Sequence, residues 1–211
     1  NQAMKEEMAR DPNVFILGEE VGAYQGAYKV TQGLLAQFGE WRVRDTPIAE
    51  EAIAGVAVGA AFVGMRPIAE MMTFNFSLLA LDQIVNHAAK YRYMSGGQIR
   101  CPMVMRGPSG AAAQVAAQHS QAFESWYAHV PGLRIVAPAT IEDVRGMLWT
   151  ALEDPDPVLI FEHQALYNME GDLAADAGPV DIDHAAVRRA GNDVTLVTYG
   201  GSLFKSLQAA D

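Results

Sequence analysis

The sequence predicts an α/β fold whose parallel sheet is covered by helices on both faces, and three observations carry that expectation. Wholly apolar runs recur, as in Val14-Phe15-Ile16-Leu17 and Val158-Leu159-Ile160-Phe161, and strands of that kind leave no face for water. Helix-like segments separate them, the alternation that builds a parallel sheet. Half of the 211 residues are hydrophobic and 19% are charged, a globular balance that lets one domain bury a sizeable core.

The charged stretch from Asn1 to Pro12 begins as if inside a helix, with Met4 and Met8 at helical spacing, and it lacks a signal-peptide core. The run from Val14 is closed by Gly18 and reads as a buried strand. Asp45-Thr46-Pro47 is a helix start signal, with Pro47 suited to the first turn. Arg66 to Met71 reads as the next strand, and Leu78 to Tyr93 as one long helix with apolar residues at helical spacing. Pro102 to Met105 reads as a strand, after which Gly107-Pro108-Ser109-Gly110 turns the chain. A short helix from Gln121 to Ala128, a strand from Leu133 to Val136, a helix from Ile141 to Leu152 and the strand from Val158 to Phe161 complete a first domain over residues 1–162. Residues 163–192 are acidic, contain Gly and Pro, and read as a linker. Asp193 to Tyr199 then reads as a new strand and Ser202 opens a helix. Residues 193–211 are therefore expected to begin a second α/β domain, in truncated form, too short to fold alone. Ligands on parallel sheets sit at the carboxyl ends of the strands, where Glu19, the Thr73 to Phe76 segment and the Gly107 turn are expected.

Fifteen basic residues against 25 acidic leave a net charge of -10. No basic run is interleaved with aromatics, which argues against a nucleic-acid partner. The single cysteine, Cys101, excludes an intramolecular disulfide and a multi-cysteine metal site. The longest apolar stretch, Ala52 to Met65, falls short of the ~20 residues that span a membrane, so a soluble intracellular protein is expected. The dinucleotide fingerprint, the P-loop and the His-Glu-x-x-His motif are absent, and Gly107 to Ala111 fails the nucleophile-elbow pattern at its last position.

The segment that carries chemistry is Asp45-Thr46-Pro47-Ile48-Ala49-Glu50 leading into Gly55-Val56-Ala57-Val58-Gly59. It resembles the pyrimidine-side motif of thiamine-diphosphate enzymes. A carboxyl group facing the ring nitrogen of the aminopyrimidine promotes proton removal from the thiazolium carbon by the exocyclic amine. Burial suits it to that task by raising its pKa and keeping a proton available. Taken alone, Glu50 and Glu51 also read as first-turn acids favoured by the helix dipole, with the glycines allowing close packing. The register of the glycines selects Glu50.

Further runs extend the likeness: Gly18-Glu19-Glu20-Val21, Gly26-Ala27-Tyr28-Lys29-Val30, Met72-Thr73-Phe74-Asn75-Phe76, Tyr93-Met94-Ser95-Gly96-Gly97, Arg106-Gly107-Pro108, Gln118-His119-Ser120-Gln121 and Val130-Pro131-Gly132-Leu133. In order and spacing, over essentially the whole chain, they resemble the beta subunit of the thiamine-diphosphate-dependent first component of 2-oxo acid dehydrogenase complexes, the pyruvate dehydrogenase form above all. The resemblance implies a transketolase-like pyrimidine-binding domain, followed by the start of a transketolase C-terminal-like domain.

It also implies roles for single residues. Glu50 matches the glutamate that contacts the aminopyrimidine, and Phe76 matches the aromatic packed on that ring, although a core phenylalanine is the plainer reading. His119 matches a histidine facing the reactive end of the cofactor and linked to acyl transfer onto the lipoyl group, where an imidazole suits proton handling; a lone histidine also serves structure. Met103, Ala151, Leu152, Asp154 and Asp156 match positions that bind potassium, chiefly through carbonyls, although Pro155 and Asp156 depart from the family pattern. A helix end followed by an Asp- and Pro-rich turn accounts for them equally well.

The Gly-Asp-Gly segment that holds magnesium and diphosphate is missing, since Gly171-Asp172 continues with Leu173. Magnesium is thereby expected on a separate alpha subunit, in an α2β2 heterotetramer that docks on a dihydrolipoyl acetyltransferase core. The small-residue helix from Ala52 to Gly64 suits close packing there. The implied compartment is the bacterial cytoplasm or, in a eukaryote, the mitochondrial matrix or plastid stroma. The implied substrate is pyruvate. Branched-chain 2-oxo acid and acetoin relatives are the nearest alternatives, and a non-catalytic scaffold subunit is the rival from another class.

Overall fold

The computed structural model describes residues 1–111 and 114–211. Its strands are β1 (Val14–Glu19), β2 (Val43–Thr46), β3 (Arg66–Glu70), β4 (Val104–Ser109), β5 (Arg134–Val136) and β6 (Val158–His163). Its α-helices are α1 (Gln2–Arg10), α2 (Leu34–Phe38), α3 (Glu50–Phe62), α4 (Tyr91–Met94), α5 (Glu124–Ala128), α6 (Ile141–Glu153) and α7 (Leu203–Ala210). The strands form one sheet in the order β2-β1-β3-β4-β6-β5, every neighbouring pair parallel.

Alternate residues of a strand point to opposite faces, so each apolar run feeds two cores at once. Phe15, Leu17, Ala69, Met105, Leu159 and Phe161 face one core, which α3 closes with Ile53, Ala54, Ala57, Val58 and Ala61. Val14, Ile16, Ile68, Val104, Val158 and Ile160 face the other, closed by Met4 and Met8 of α1 and by Leu148 and Leu152 of α6. Burying each large aliphatic side chain contributes ~1.5–3 kcal/mol relative to exposure. A reciprocal capping box starts α6: the Thr140 hydroxyl accepts from the Asp143 amide, and the Asp143 carboxylate accepts from the Thr140 amide.

The chain moves outward from β1 to β2, then returns through α3 to β3 on the far side of β1. The strand order therefore reverses between β1 and β3, the place where a crevice opens beyond the carboxyl ends of an open parallel sheet. Glu19 ends β1, and the Thr73–Phe76 segment follows β3 closely.

Several elements differ from the sequence expectation. Asp45 and Thr46 belong to β2 rather than to a helix start, and Pro47 lies in the connection before α3. The Asp45 carboxylate is occupied elsewhere: it accepts the amides of Gly22 at 2.5 Å and Ala23 at 3.0 Å, pinning the loop after β1. The single helix expected from Leu78 to Tyr93 is instead a 3-10 helix over Phe74–Ala80, a π-helix over Gln83–Ala88 and the short α4. Thr73 starts the first of these by accepting from Asn75 N, and Leu78, Leu79 and Leu81 face outward. Gly107 to Ser109 continue β4, and the turn falls at Gly110, whose φ is +77°. A Cβ at Gly107 would lie 2.4 Å from the Met71 carbonyl oxygen, so glycine is there to let the chain from β3 approach β4. Asp193 to Tyr199 forms no strand: Val194, Leu196 and Val197 are exposed, and no ladder partner exists among the described residues.

The linker is not free of the first domain. Val180 exchanges hydrogen bonds with Gly146 and Thr150 of α6, and Arg188 reaches Asp143 at 2.7 Å. Among the described residues, no helix is long and apolar enough to cross a membrane.

Candidate active site

Glu50 opens α3 and is buried at 6% exposure, and Glu19 ends β1 at 7%. Among the described residues neither carboxylate has a hydrogen bond or an ion pair with any cation. Burial pushes the Glu19 carboxyl above the usual carboxylate range, and the negative charge of Glu50 pushes it in the same direction. The Thr46 hydroxyl, opposite Glu19 in the β1–β2 register, is also buried without a partner. Glu50 lines an open hollow of about 580 Å³ with Ile48, Glu51, Gly55, Leu79 and Gln83.

Phe76 and His119 meet edge to face, with ring centroids 5.2 Å apart and planes at 74°. Both are half-buried. Phe76 is placed by the 3-10 helix, which packs against α3 and is fastened below by the pairing of Ser77 Oγ with Tyr127 Oη at 2.8 Å. Asn75 ties this helix to the histidine loop by donating to the Gln121 carbonyl at 3.3 Å and its side-chain oxygen at 2.8 Å. His119 closes a short 3-10 turn, and its amide donates to the Ala116 carbonyl at 3.2 Å. Gln114 and Ala116 have positive φ, +56° and +67°, without being glycine. Such strain collects where a loop must aim a side chain.

Glu50, Phe76 and His119 thus all belong to the carboxyl end of the sheet. Phe76 and His119 touch directly, and the side chain whose charge bears on Glu19 is Glu50. Buried acids without a counter-ion, at the same end of the sheet as a half-buried aromatic and an imidazole, suit a flat heteroaromatic ring that offers a nitrogen to be protonated. The aminopyrimidine of thiamine diphosphate is such a ring, and the donor set fits it.

A second charged group nearby was not foreseen from the sequence. Arg106, on β4, is 3% exposed and pairs with Glu70 of β3 and with both oxygens of Glu162 of β6, one of them at 2.5 Å. The Tyr167 hydroxyl donates to Glu162 at 2.7 Å. Burial alone would raise Glu162, but the Arg106 charge, its hydrogen bonds and the Tyr167 hydroxyl hold it below the usual range. For Glu70 burial prevails over Arg106, and its carboxyl is pushed up. The signal available was a charge at the end of each of three apolar strands. Gln83, Asn75 and Gln121 were likewise unassigned, because their contacts come from segments far apart in the chain.

The residues expected to bind potassium lie around the amino ends of the strands, at the other end of the sheet. Some of their oxygens have protein partners. The Met103 carbonyl accepts from Val158 N at 3.0 Å, the Leu152 carbonyl accepts from Arg66, Asp154 pairs with Arg134 at 2.8 Å, and Asp156 pairs with Arg92.

Residues 1–170 match the family described as transketolase, pyrimidine binding domain. The chain is 54% identical over 209 residues to the pyruvate dehydrogenase E1 component subunit beta of Rickettsia bellii, covering 99% of this chain and 64% of that protein. It is 53% identical over 214 residues to the mitochondrial subunit beta of Caenorhabditis elegans, covering 100% of this chain and 61% of that one. A solved structure titled "Split gene transketolase, inactive beta4 tetramer" superposes with a TM-score of 0.79 at 22% identity, over 99% of this chain and 64% of that one, a likeness of fold. The chain spans 64% of the length of the first curated relatives it matches.

Proposed function

The chain belongs to the transketolase pyrimidine-binding domain family, and from that premise we propose that it is the beta subunit of an acetyl-transferring pyruvate dehydrogenase. The observation that carries this reading is the buried Glu50–Glu19 pair without a cation, at the switch point of the sheet. The printed names of relatives at 50–55% identity support the choice of pyruvate.

Thiamine diphosphate, when bound, supplies the electron sink that decarboxylation of a 2-oxo acid requires. Glu50, buried beside Glu19, would hold a strong hydrogen bond toward the aminopyrimidine nitrogen. Phe76 offers an apolar face to the ring. His119, kept against Phe76 and aimed by the strained loop, handles a proton during acyl transfer to the lipoyl group. Magnesium and the diphosphate would be held by an alpha subunit, in an α2β2 heterotetramer bound to a dihydrolipoyl acetyltransferase core. Residues 163–192 then lead from the pyrimidine-binding domain to a second domain that starts near residue 193. The compartment is the bacterial cytoplasm, the mitochondrial matrix or the plastid stroma, in keeping with bacterial and mitochondrial relatives.

The experiment is thiamine-diphosphate-dependent decarboxylation by the subunit reconstituted with its alpha partner, on pyruvate and on a branched-chain 2-oxo acid. Preference for pyruvate is expected. Preference for the branched acid would keep the mechanism and overturn the substrate, and no cofactor-dependent activity on either would leave a scaffold subunit.

A further inference from the structure

Asn75 is 4% exposed and stands in the first turn of the 3-10 helix that places Phe76. The two ends of its side-chain amide face different partners. One end lies 3.3 Å from the Gln121 carbonyl oxygen and 2.8 Å from Gln121 Oε1. A carbonyl only accepts, so this end is the nitrogen. The other end, Oδ1, accepts from the Thr73 hydroxyl, which in turn accepts the Asn75 amide at 3.4 Å. The side chain is thereby held in one orientation, with its donor toward the histidine loop.

Gln121 is the junction of that loop. Its carbonyl also accepts the Gly110 amide at 3.1 Å, and Ser109 Oγ, at the end of β4, donates to Glu124 Oε1 at 3.1 Å. The two lone pairs of the Gln121 carbonyl are thus divided between Gly110 and Asn75. Two residues before it, the His119 amide and the Ser120 hydroxyl both donate to the Ala116 carbonyl, which ties Ala116 to Ser120 into one turn. Consecutive residues of one helix therefore hold this turn from two sides: Phe76 meets the His119 ring, and Asn75 holds Gln121. Misplacing a reacting group by about 1 Å costs on the order of 100-fold in rate, so the contact that fixes Gln121 also bears on the aim of His119.

We propose that Asn75, oriented by Thr73 and acting through Gln121, is a positioning residue that sets the His119 imidazole against Phe76. The consequence for acyl transfer rests on the function proposed above, whereas the placement of the imidazole does not.

The test compares the parent with Asn75→Asp in the subunit reconstituted with its alpha partner. Aspartate keeps the size of the side chain and the oxygen that Thr73 bonds, but turns a second oxygen toward the two oxygens of Gln121. The Gln121 side chain can rotate to donate; its carbonyl cannot. Placement is read as the rate at which diethyl pyrocarbonate modifies His119, followed by peptide mass spectrometry. That rate is expected to rise severalfold in Asn75→Asp with an unchanged circular dichroism spectrum. Gln121→Ala removes the shorter bond at an exposed side chain and is expected to shift the rate the same way. An unchanged rate in Asn75→Asp, or in Gln121→Ala should the first variant not fold, would overturn the proposal.

The consequence is read in two assays. Asn75→Asp is expected to slow transfer to lipoamide by ~10-fold, more than it slows decarboxylation with an artificial acceptor, and to add no further loss on the His119→Ala background. Equal losses in both assays, or a loss that multiplies with that of His119→Ala, would overturn the proposal, because Asn75 would then act on the fold or by another route. If His119→Ala itself leaves transfer unchanged, the acyl-transfer reading fails, and the reactivity of His119 alone decides the placement.

Discussion

Arg106 with Glu70 and Glu162 forms one buried group of charges at the carboxyl end of the sheet; Glu19 with Glu50 forms another, one strand away. The first is closed upon itself. Arg106 bonds both acids, and Tyr167 takes a further lone pair of Glu162. The second holds two acids, no cation and an unpartnered Thr46 hydroxyl. Buried charge is tolerated when it is paired and hydrogen-bonded, and otherwise shifts its proton equilibrium. The satisfied group therefore serves the fold by joining β3, β4 and β6, whereas the unsatisfied one is suited to a ligand that brings the missing partner.

The sharpest way to break this contrast is at Glu50. Glu50→Gln is expected to lower turnover by at least ~100-fold, the scale of a lost proton-transfer group, with an unchanged circular dichroism spectrum. Near-normal turnover would remove Glu50 from the mechanism. Arg106→Met attacks the other group and is expected to destabilise the protein by ~3–5 kcal/mol, because two buried acids lose their cation. Glu162, held low, contributes stability that is present above the ordinary carboxylate range and lost as pH falls through its lowered pKa. The gap between Arg106→Met and its parent in urea unfolding should accordingly narrow in acid, and a gap independent of pH would point to lost packing instead.

His119→Ala is expected to slow transfer to lipoamide by ~100-fold while changing decarboxylation measured with an artificial acceptor much less. Equal losses in both assays would remove its role in acyl transfer. Gly18→Ala probes the seam between the two groups, since its Cβ would lie 2.6 Å from the Glu70 carbonyl oxygen. Parting β1 from β3 there should cost ~1–3 kcal/mol in equilibrium unfolding, and a neutral result would mean the strands separate freely. The smallest effect is expected at Glu19. Its raised pKa means that the ionised form opposes folding above that pKa, a penalty that disappears as pH falls through it. Glu19→Gln should therefore melt slightly higher than the parent at pH 8 and equal to it in acid; a lower Tm at pH 8 would reveal a stabilising partner for the carboxylate.

Much of this organisation was legible along the chain. The apolar runs at Val14 and Val158 identified buried parallel strands because burial on both faces leaves no polar alternation. The spacing of Glu50, Gly55 and Gly59 singled out one glutamate of two because the glycines set its register. Less legible were signals with a competing use. Asp45 has the composition of a helix start, yet its carboxylate serves the amides of Gly22 and Ala23. The apolar spacing from Leu78 to Tyr93 suits an α-helix, but Thr73 and Ser77 bond locally and the chain takes up 3-10 and π turns. Val194 to Val197 has strand composition and finds no ladder.

By itself the sequence determined the class of fold and the face each strand residue takes, both consequences of local pattern and spacing. Only the tertiary structure decided that Glu19 stands beside Glu50 without a cation, that Phe76 meets His119, and that Arg106 pairs with two acids. Those are pairings between residues tens of positions apart, and the free energy of a charge depends on what surrounds it in space rather than on its neighbours along the chain.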